Sequence, residues 1–197
     1  MTDDLKLRPV PTLETERFIM RPLQRGDETA LFATLGDPEQ CLYLTRPAFA
    51  SEAELWGWLA EPNWNGRTWI AVDRVAKNGA VDRANADGAV AARLVAVPGH
   101  APGVEEIGYI TCANRQRQGV ARECAEALIA YLLATPEAEG GARKVTAEVD
   151  TRNTASVHLL ESLGFVREAH FREHEMTHIG MCDVYWYGLL SGDAGAA

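Results

Sequence analysis

Apolar residues recur on a helical period over Val120–Ala134, where Val120, Cys124, Leu128 and then Tyr131 or Leu132 share one face. Two shorter helical patterns precede it. In the first, Ala30, Leu31, Thr34 and Leu35 follow Asp27, a good N-cap, and Gly36-Asp37-Pro38 ends the run. In the second, Leu55, Trp56, Trp58 and Leu59 follow Ser51, with Glu54 placed for a capping box. A fourth helix starts at Asn153 or Thr154 and stops at Gly164, the residue type favoured just past a helix C-terminus. Between these lie strand-length apolar runs: 17–23, stopped near Pro22, then 68–72, 89–97, 106–112, 144–149 and 183–190. Residues 73–88 are polar and hold Asn-Gly and Asp-Gly pairs, which reads as a long hairpin connection; 98–103 is a second loop.

The runs at 106–112 and 144–149 are joined by the strongest helix, and such a crossover favours a parallel pair. The remaining connections read as hairpins. The expected class is α+β (α/β): a mixed central sheet flanked by helices, in one domain over residues 12–190, with loose termini at 1–11 and 191–197. No internal repeat is visible.

Composition narrows the function. The chain has 197 residues, 47% of them hydrophobic, and a net charge of −9, which opposes nucleic acid as a partner and suits amine substrates. Cys41, Cys112, Cys124 and Cys182 form no CxxC pair, so they read as thiols in a reducing compartment. The first residues are acidic and lack the apolar core of a signal peptide, and no apolar run reaches spanning length. The expectation is a cytoplasmic protein with no membrane partner.

Residues 106–123, EIGYITCANRQRQGVARE, run from a strand through a basic loop into a helix. The first backbone N–H groups of a helix have no partner within it, and the dipole adds partial positive charge, so this layout binds anions. Gln116, Gly119 and Ala121 keep the turn compact; Arg115, Arg117 and Arg122 add charge, opposed by Glu123.

Taken in order, LETERFIMRPL (13–23), GDPE (36–39), EIGYI (106–110), QRQGVA (116–121), NTAS (153–156) and LGF (163–165) resemble the GNAT acetyltransferase superfamily. Within it they are similar to the RimJ/RimL type, which acetylates ribosomal proteins and small amines. The resemblance implies a strongly bent sheet whose parallel strands at about 106–112 and 144–149 splay apart around acetyl-CoA. By position, Ile110, Thr111 and Cys112 would offer backbone groups to the pantetheine arm and thioester. Arg115, Gln116, Arg117, Gln118, Gly119, Val120 and Ala121 would hold the pyrophosphate, and Asn153 and Ser156 would lie beside the pantetheine and sulfur. Arg117 departs from the pattern, since many relatives have glycine there.

The implied reaction is attack of a neutral amine on the acetyl thioester. An alkyl ammonium has a pKa of about 10 and an α-amine about 8, so a base or a water chain is useful. Glu106 and Glu175 compete for that role, beside a reading with no dedicated base. Ser156 is the candidate donor to the departing thiolate, against the plainer role of a first-turn serine. His170, His174 and His178 recur every four residues, but a loop-to-strand path would separate them, and the family needs no metal. Trp56, Trp58, Trp64 and Trp69 divide between core and acceptor site. The acceptor would be a ribosomal-protein N-terminus or a polyamine-like or aminoglycoside amine, selected by residues 38–66, 73–88 and 168–181. A homodimer through the last strand is compatible with the resemblance. The rival to the enzyme is a degenerate acyl-CoA-binding sensor or scaffold.

Overall fold

The amphipathic helix sets the architecture, because its apolar stripe requires a sheet to lie on. The computed structural model describes residues 7–74, 76–77, 80–81 and 88–192. In chain order the elements are β1 (Leu13–Glu14), β2 (Phe18–Pro22), α1 (Asp27–Leu35), α2 (Glu52–Leu59), β3 (Arg67–Asp73), β4 (Ala76–Lys77), β5 (Ala80–Val81), β6 (Val90–Pro98) and β7 (Val104–Thr111). There follow α3 (Val120–Ala134), β8 (Lys144–Asp150), α4 (Thr154–Ser162), β9 (Val166–Thr177) and β10 (Gly180–Leu190). Eight strands form one mixed sheet in the order β1-β2-β3-β6-β7-β8-β10-β9, and β4 and β5 form a small separate ladder. The connection read over 73–88 otherwise lies largely outside the described residues.

Strand alternation places a different core on each face. On one side Leu94, Ala96, Ile107 and Val145 pack with Leu128 and Leu132 of α3 and Leu160 of α4. On the other, Ile70 and Val72 pack with Leu31 and Leu35 of α1 and Leu55 and Leu59 of α2. The two core faces hold the sheet between helical layers.

Local chemistry explains the element ends. Ser51 Oγ accepts the Glu54 N–H at 3.2 Å, while the Glu54 carboxylate reaches the Ala50 N–H at 2.9 Å, one residue earlier than a standard capping box. Asn153, not Thr154, caps α4, its Oδ1 accepting the Ser156 N–H at 3.2 Å. Gly164, at φ +86°, lets the Phe165 N–H return to the Leu160 carbonyl. The first helix differs from expectation: Gly26 is its N-cap, and Asp27 is the first helical residue. The Asp27 carboxylate instead takes both Arg21 Nη atoms, at 2.9 and 2.8 Å, and the Gln24 N–H.

Residues 166–177 also differ. They form a twelve-residue strand at the sheet edge, mostly exposed. This strand buries little on either face, so it leaves little apolar alternation to read. A register shift and Glu173 at φ +46° interrupt it further. The last strand, β10, is hydrogen-bonded on both sides, so the free edge belongs to β9.

Candidate functional site at the strand splay

Strands β7 and β8 pair in parallel only over Val104–Glu106 with Lys144–Thr146. Beyond that point β7 stays with β6 as far as Thr111, and β8 stays with β10 as far as Asp150. The two strands therefore diverge while each keeps its outer neighbour. The Cys112 N–H donates to the Ala91 carbonyl at 2.9 Å. By antiparallel alternation the peptide groups of Ile110 and Cys112 then turn toward β6, and those of Tyr109 and Thr111 face the gap. Of the three backbone positions expected at the thioester, Thr111 is the one that presents its peptide group there. Tyr109, not singled out from sequence, is the second.

A cavity of about 460 Å³ passes through this gap. The register 93↔110, 95↔108 and 97↔106 assigns its two sides. Arg93, Glu106, Gly108 and Ile110 project to the side of α1 and α2. Tyr109 projects to the other, toward Asn153, Ser156 and Leu160 of the α4 segment. Gly108 keeps the floor open: a Cβ there would sit 3.0 Å from Val95 and add a side chain on the cavity face.

The α4 side holds a hydroxyl pair, Tyr109 Oη and Ser156 Oγ at 2.6 Å. Burial pushes the Tyr109 phenol up to about 12, partly offset by the Ser156 hydrogen bond. The opposite side is acidic. Glu106, Glu148 and Glu175 all line it. Burial, then the Glu148 and Glu175 carboxylates, raise Glu106 above the usual carboxylate range. Burial and Glu175 raise Glu148 as well, with His174 opposing. The structure thus brings both expected base candidates together and adds Glu148. Its signal was available in 144–150, where Lys144, Thr146, Glu148 and Asp150 alternate with apolar residues. Trp58, Trp64 and Tyr43 complete this side, whereas Trp69 is fully buried in the core and Trp56 stacks under Arg25.

The basic loop is braced from beneath. Arg115 is held by Asp73 through two bonds of 2.7 and 2.6 Å, and Arg122 by Ser162 and Glu126. Glu123 takes Arg17 and Thr15, and Arg17 also donates to the Gln118 carbonyl. Gln116 donates to Gln40, and Gln118 to the Asn114 carbonyl. Val120 is buried in the core under the loop, and Ala121 follows it in the first turn of α3. Two features stay open. Gly119, at φ +75°, starts α3 with no side-chain cap. Arg117, at φ +60°, has no hydrogen bond or ion pair among the described residues. Free peptide groups in the gap, an uncapped helix start and an unpaired guanidinium together fit a pantetheine arm ending in a pyrophosphate.

The histidines go to separate partners. His170 meets Asp183 at 3.0 Å, His174 stacks on Phe171, and His178 Nδ1 donates to the Leu44 carbonyl. Among the described residues, no group of three or more His, Cys, Asp or Glu could hold a metal ion. No helix there is long and apolar enough to cross a membrane.

Comparison with known proteins matches this architecture. Residues 17–166 match the acetyltransferase (GNAT) domain family. The chain is 26% identical over 179 residues to an uncharacterized N-acetyltransferase, p20, of Bacillus licheniformis, covering 91% of this chain and 96% of that protein. A GNAT-family acetyltransferase from Bacillus anthracis superposes with a TM-score of 0.76 at 18% identity, covering 92% of this chain and 99% of its own. Spermidine N-acetyltransferase from Vibrio cholerae, solved with CoA and spermine, gives 0.71 at 20% identity, covering 90% and 97%. The two structural likenesses speak to the fold, and the family match spans three quarters of the sequence. The chain belongs to the acetyltransferase (GNAT) domain family and is an N-acetyltransferase that uses acetyl-CoA.

Proposed function

We propose that the chain acetylates a primary amine that reaches the thioester from the acidic side of the splay, within the RimJ/RimL-like group and in the cytoplasm. One observation carries this reading: a single cavity joins the Glu106, Glu148 and Glu175 carboxylates to the Tyr109–Ser156 hydroxyl pair across the gap. Acetyl-CoA supplies the acyl group. The glutamate cluster holds the incoming ammonium and takes one proton from it. A raised carboxylate pKa makes Glu106 or Glu148 a better base near neutrality than an ordinary glutamate. The Thr111 or Tyr109 N–H polarises the acyl oxygen, and the Tyr109 hydroxyl, oriented by Ser156, hydrogen-bonds the departing sulfur. The nitrogen–acyl bond forms as the carbon–sulfur bond breaks; the neutral amine's own proton balances the one gained by the thiolate, and the proton first taken by the glutamate leaves to solvent. Small amines are favoured over a ribosomal-protein N-terminus, because a fold neighbour is a spermidine N-acetyltransferase and the acceptor side is lined by carboxylates that suit a compact cation. Strand addition between two copies would use β9, the free edge.

The test is CoA-thiol release from acetyl-CoA over a panel of amines, with Glu106→Gln, Glu148→Gln and Glu175→Gln. Amine-dependent release is expected. The acid limb of the kcat/KM profile should lie above the ordinary carboxylate range and disappear in the variant that lacks the base. Stability supplies an independent check. A carboxyl raised in the folded state contributes stability that is fully present below its ordinary value of 4.5 and is lost as pH rises through the folded pKa. Glu106→Gln should therefore raise Tm at pH 8 and leave it unchanged at pH 4. Acetyl-CoA binding without release from any amine would return the sensor reading.

A further inference from the structure

Arg93 lies in the middle of β6, in the apolar run Val90–Pro98, and projects to the cavity face opposite Ile110. It is only 7% exposed. Among the described residues two other arginines are buried, and each lies against a carboxylate: Arg21 against Asp27 at 2.8 Å and Arg67 against Glu105 at 3.0 Å, the latter a charge pair without hydrogen-bond geometry. Arg93 has none among the described residues. Its Nε is buried without a partner, and Nη2 reaches only the Thr68 hydroxyl, at 3.4 Å. Its guanidinium instead lies 4.7 Å from the Trp58 ring and 5.5 Å from the Trp64 ring. Burial lowers its pKa to about 10, which still leaves it charged at neutral pH.

A buried cation with no counter-charge is costly to keep, and the protein retains this one at the wall of its acceptor cavity. Resting on the transfer reading above, we infer that Arg93 binds the carboxylate of the acceptor, so that the amine acetylated is that of a molecule of α-amino-acid size. The cavity is dipolar in the matching sense. Glu106, Glu148 and Glu175 meet the ammonium end, and the Arg93 guanidinium, beside two indoles, meets the other, where Glu61 also lines the cavity without an ion pair to Arg93. A guanidinium offers parallel N–H donors that suit a flat carboxylate. A phosphate dianion would meet the Arg93 guanidinium together with the carboxylates of Glu61, Glu106, Glu148, Asp150 and Glu175 in the same space. Arg93 lies on the strand next to β7 and lines the same cavity as the gap, so a carboxylate on it and an amine at the thioester share one enclosure. Trp58, Trp64 and Tyr43 would receive the side chain.

The experiment titrates the intact protein with the twenty L-amino acids, following tryptophan emission and CoA-thiol release. Each binder is compared with its carboxamide and its decarboxylated amine, in wild type and Arg93→Gln. At least one amino acid should quench emission and be acetylated, with a KM at least tenfold below that of its amide. Arg93→Gln should raise the KM for the acid by 10- to 100-fold. It should leave the KM values for the amide and for acetyl-CoA within about threefold. Wild-type discrimination between acid and amide does not depend on how the variant folds. Quenching by acids but not amides, with no CoA release, would sink the transfer reading and leave carboxylate recognition standing. Release from amines without preference for the acid overturns the role of Arg93 and leaves transfer standing. An equal loss of kcat for acid and amide in Arg93→Gln also overturns it, by making Arg93 act on the thioester. No binding by any of the twenty overturns it outright.

Discussion

Tyr109 and Ser156 sit 2.6 Å apart where the strands part, and their order of action follows from their acidities. With its phenol pushed up to about 12, Tyr109 stays protonated at working pH. It is a weaker acid than a CoA thiol, at about 8.5, so it stabilises a departing thiolate through a hydrogen bond rather than by giving up its proton. Losing one such preorganised donor costs on the order of 10²-fold in kcat. Tyr109→Phe should show a loss of that size with little change in KM for acetyl-CoA. Ser156→Ala removes only the orienting partner and should cost less than tenfold. Steady-state kinetics of both variants decides the order, and a larger loss at Ser156 would make the serine the direct donor.

At the scale of elements, two residues set the geometry of the binding segments. Gly119 takes φ +75° at the start of α3, and an added Cβ would sit 3.2 Å from Arg17 Nη2. Asn153 caps α4 and so fixes the turn that carries Ser156. Gly119→Ala should lower stability by about 1 kcal/mol through left-handed strain and raise the KM for acetyl-CoA. Asn153→Ala should lower stability by about 1 kcal/mol through the lost cap and reduce kcat. Urea denaturation with kinetics separates the two, and unchanged KM in Gly119→Ala would remove the loop from cofactor binding. These elements were legible in the sequence because helical periodicity, caps and the crossover between 106–112 and 144–149 are all local signals. What stayed hidden depends on register. Arg93 and Tyr109 look like members of ordinary strands until pairing shows which face each occupies. The edge strand β9 stayed hidden because it buries too little to carry a pattern. The Arg115–Asp73 pair was not legible because the two residues lie 42 positions apart in sequence.

At the scale of the molecule, the sheet is two half-sheets joined at three residue pairs. One half runs from β1 to β7, and the other contains β8, β10 and β9. Below the gap, the α3 core and the pairing of Val104–Glu106 hold the halves together. Above it, nothing in the sheet ladder links them. Acetyl-CoA bound between Tyr109 and Thr111 of one half and the β8–α4 segment of the other would supply that missing link. A ligand that binds only the folded state adds about 2.7 kcal/mol at 100 times its Kd. For a chain of this size, 1 kcal/mol moves Tm by about 2–4 °C, so the shift should be roughly 5–10 °C. Any folded-state ligand would raise Tm, so the location of the effect carries the test. Amide hydrogen exchange should slow at Tyr109 and Thr111, whose N–H groups face the gap. It should change little at Ile110, whose N–H is already directed to β6. Equal slowing at all three positions would mean general tightening, and no slowing at Tyr109 and Thr111 would place the pantetheine arm outside the splay.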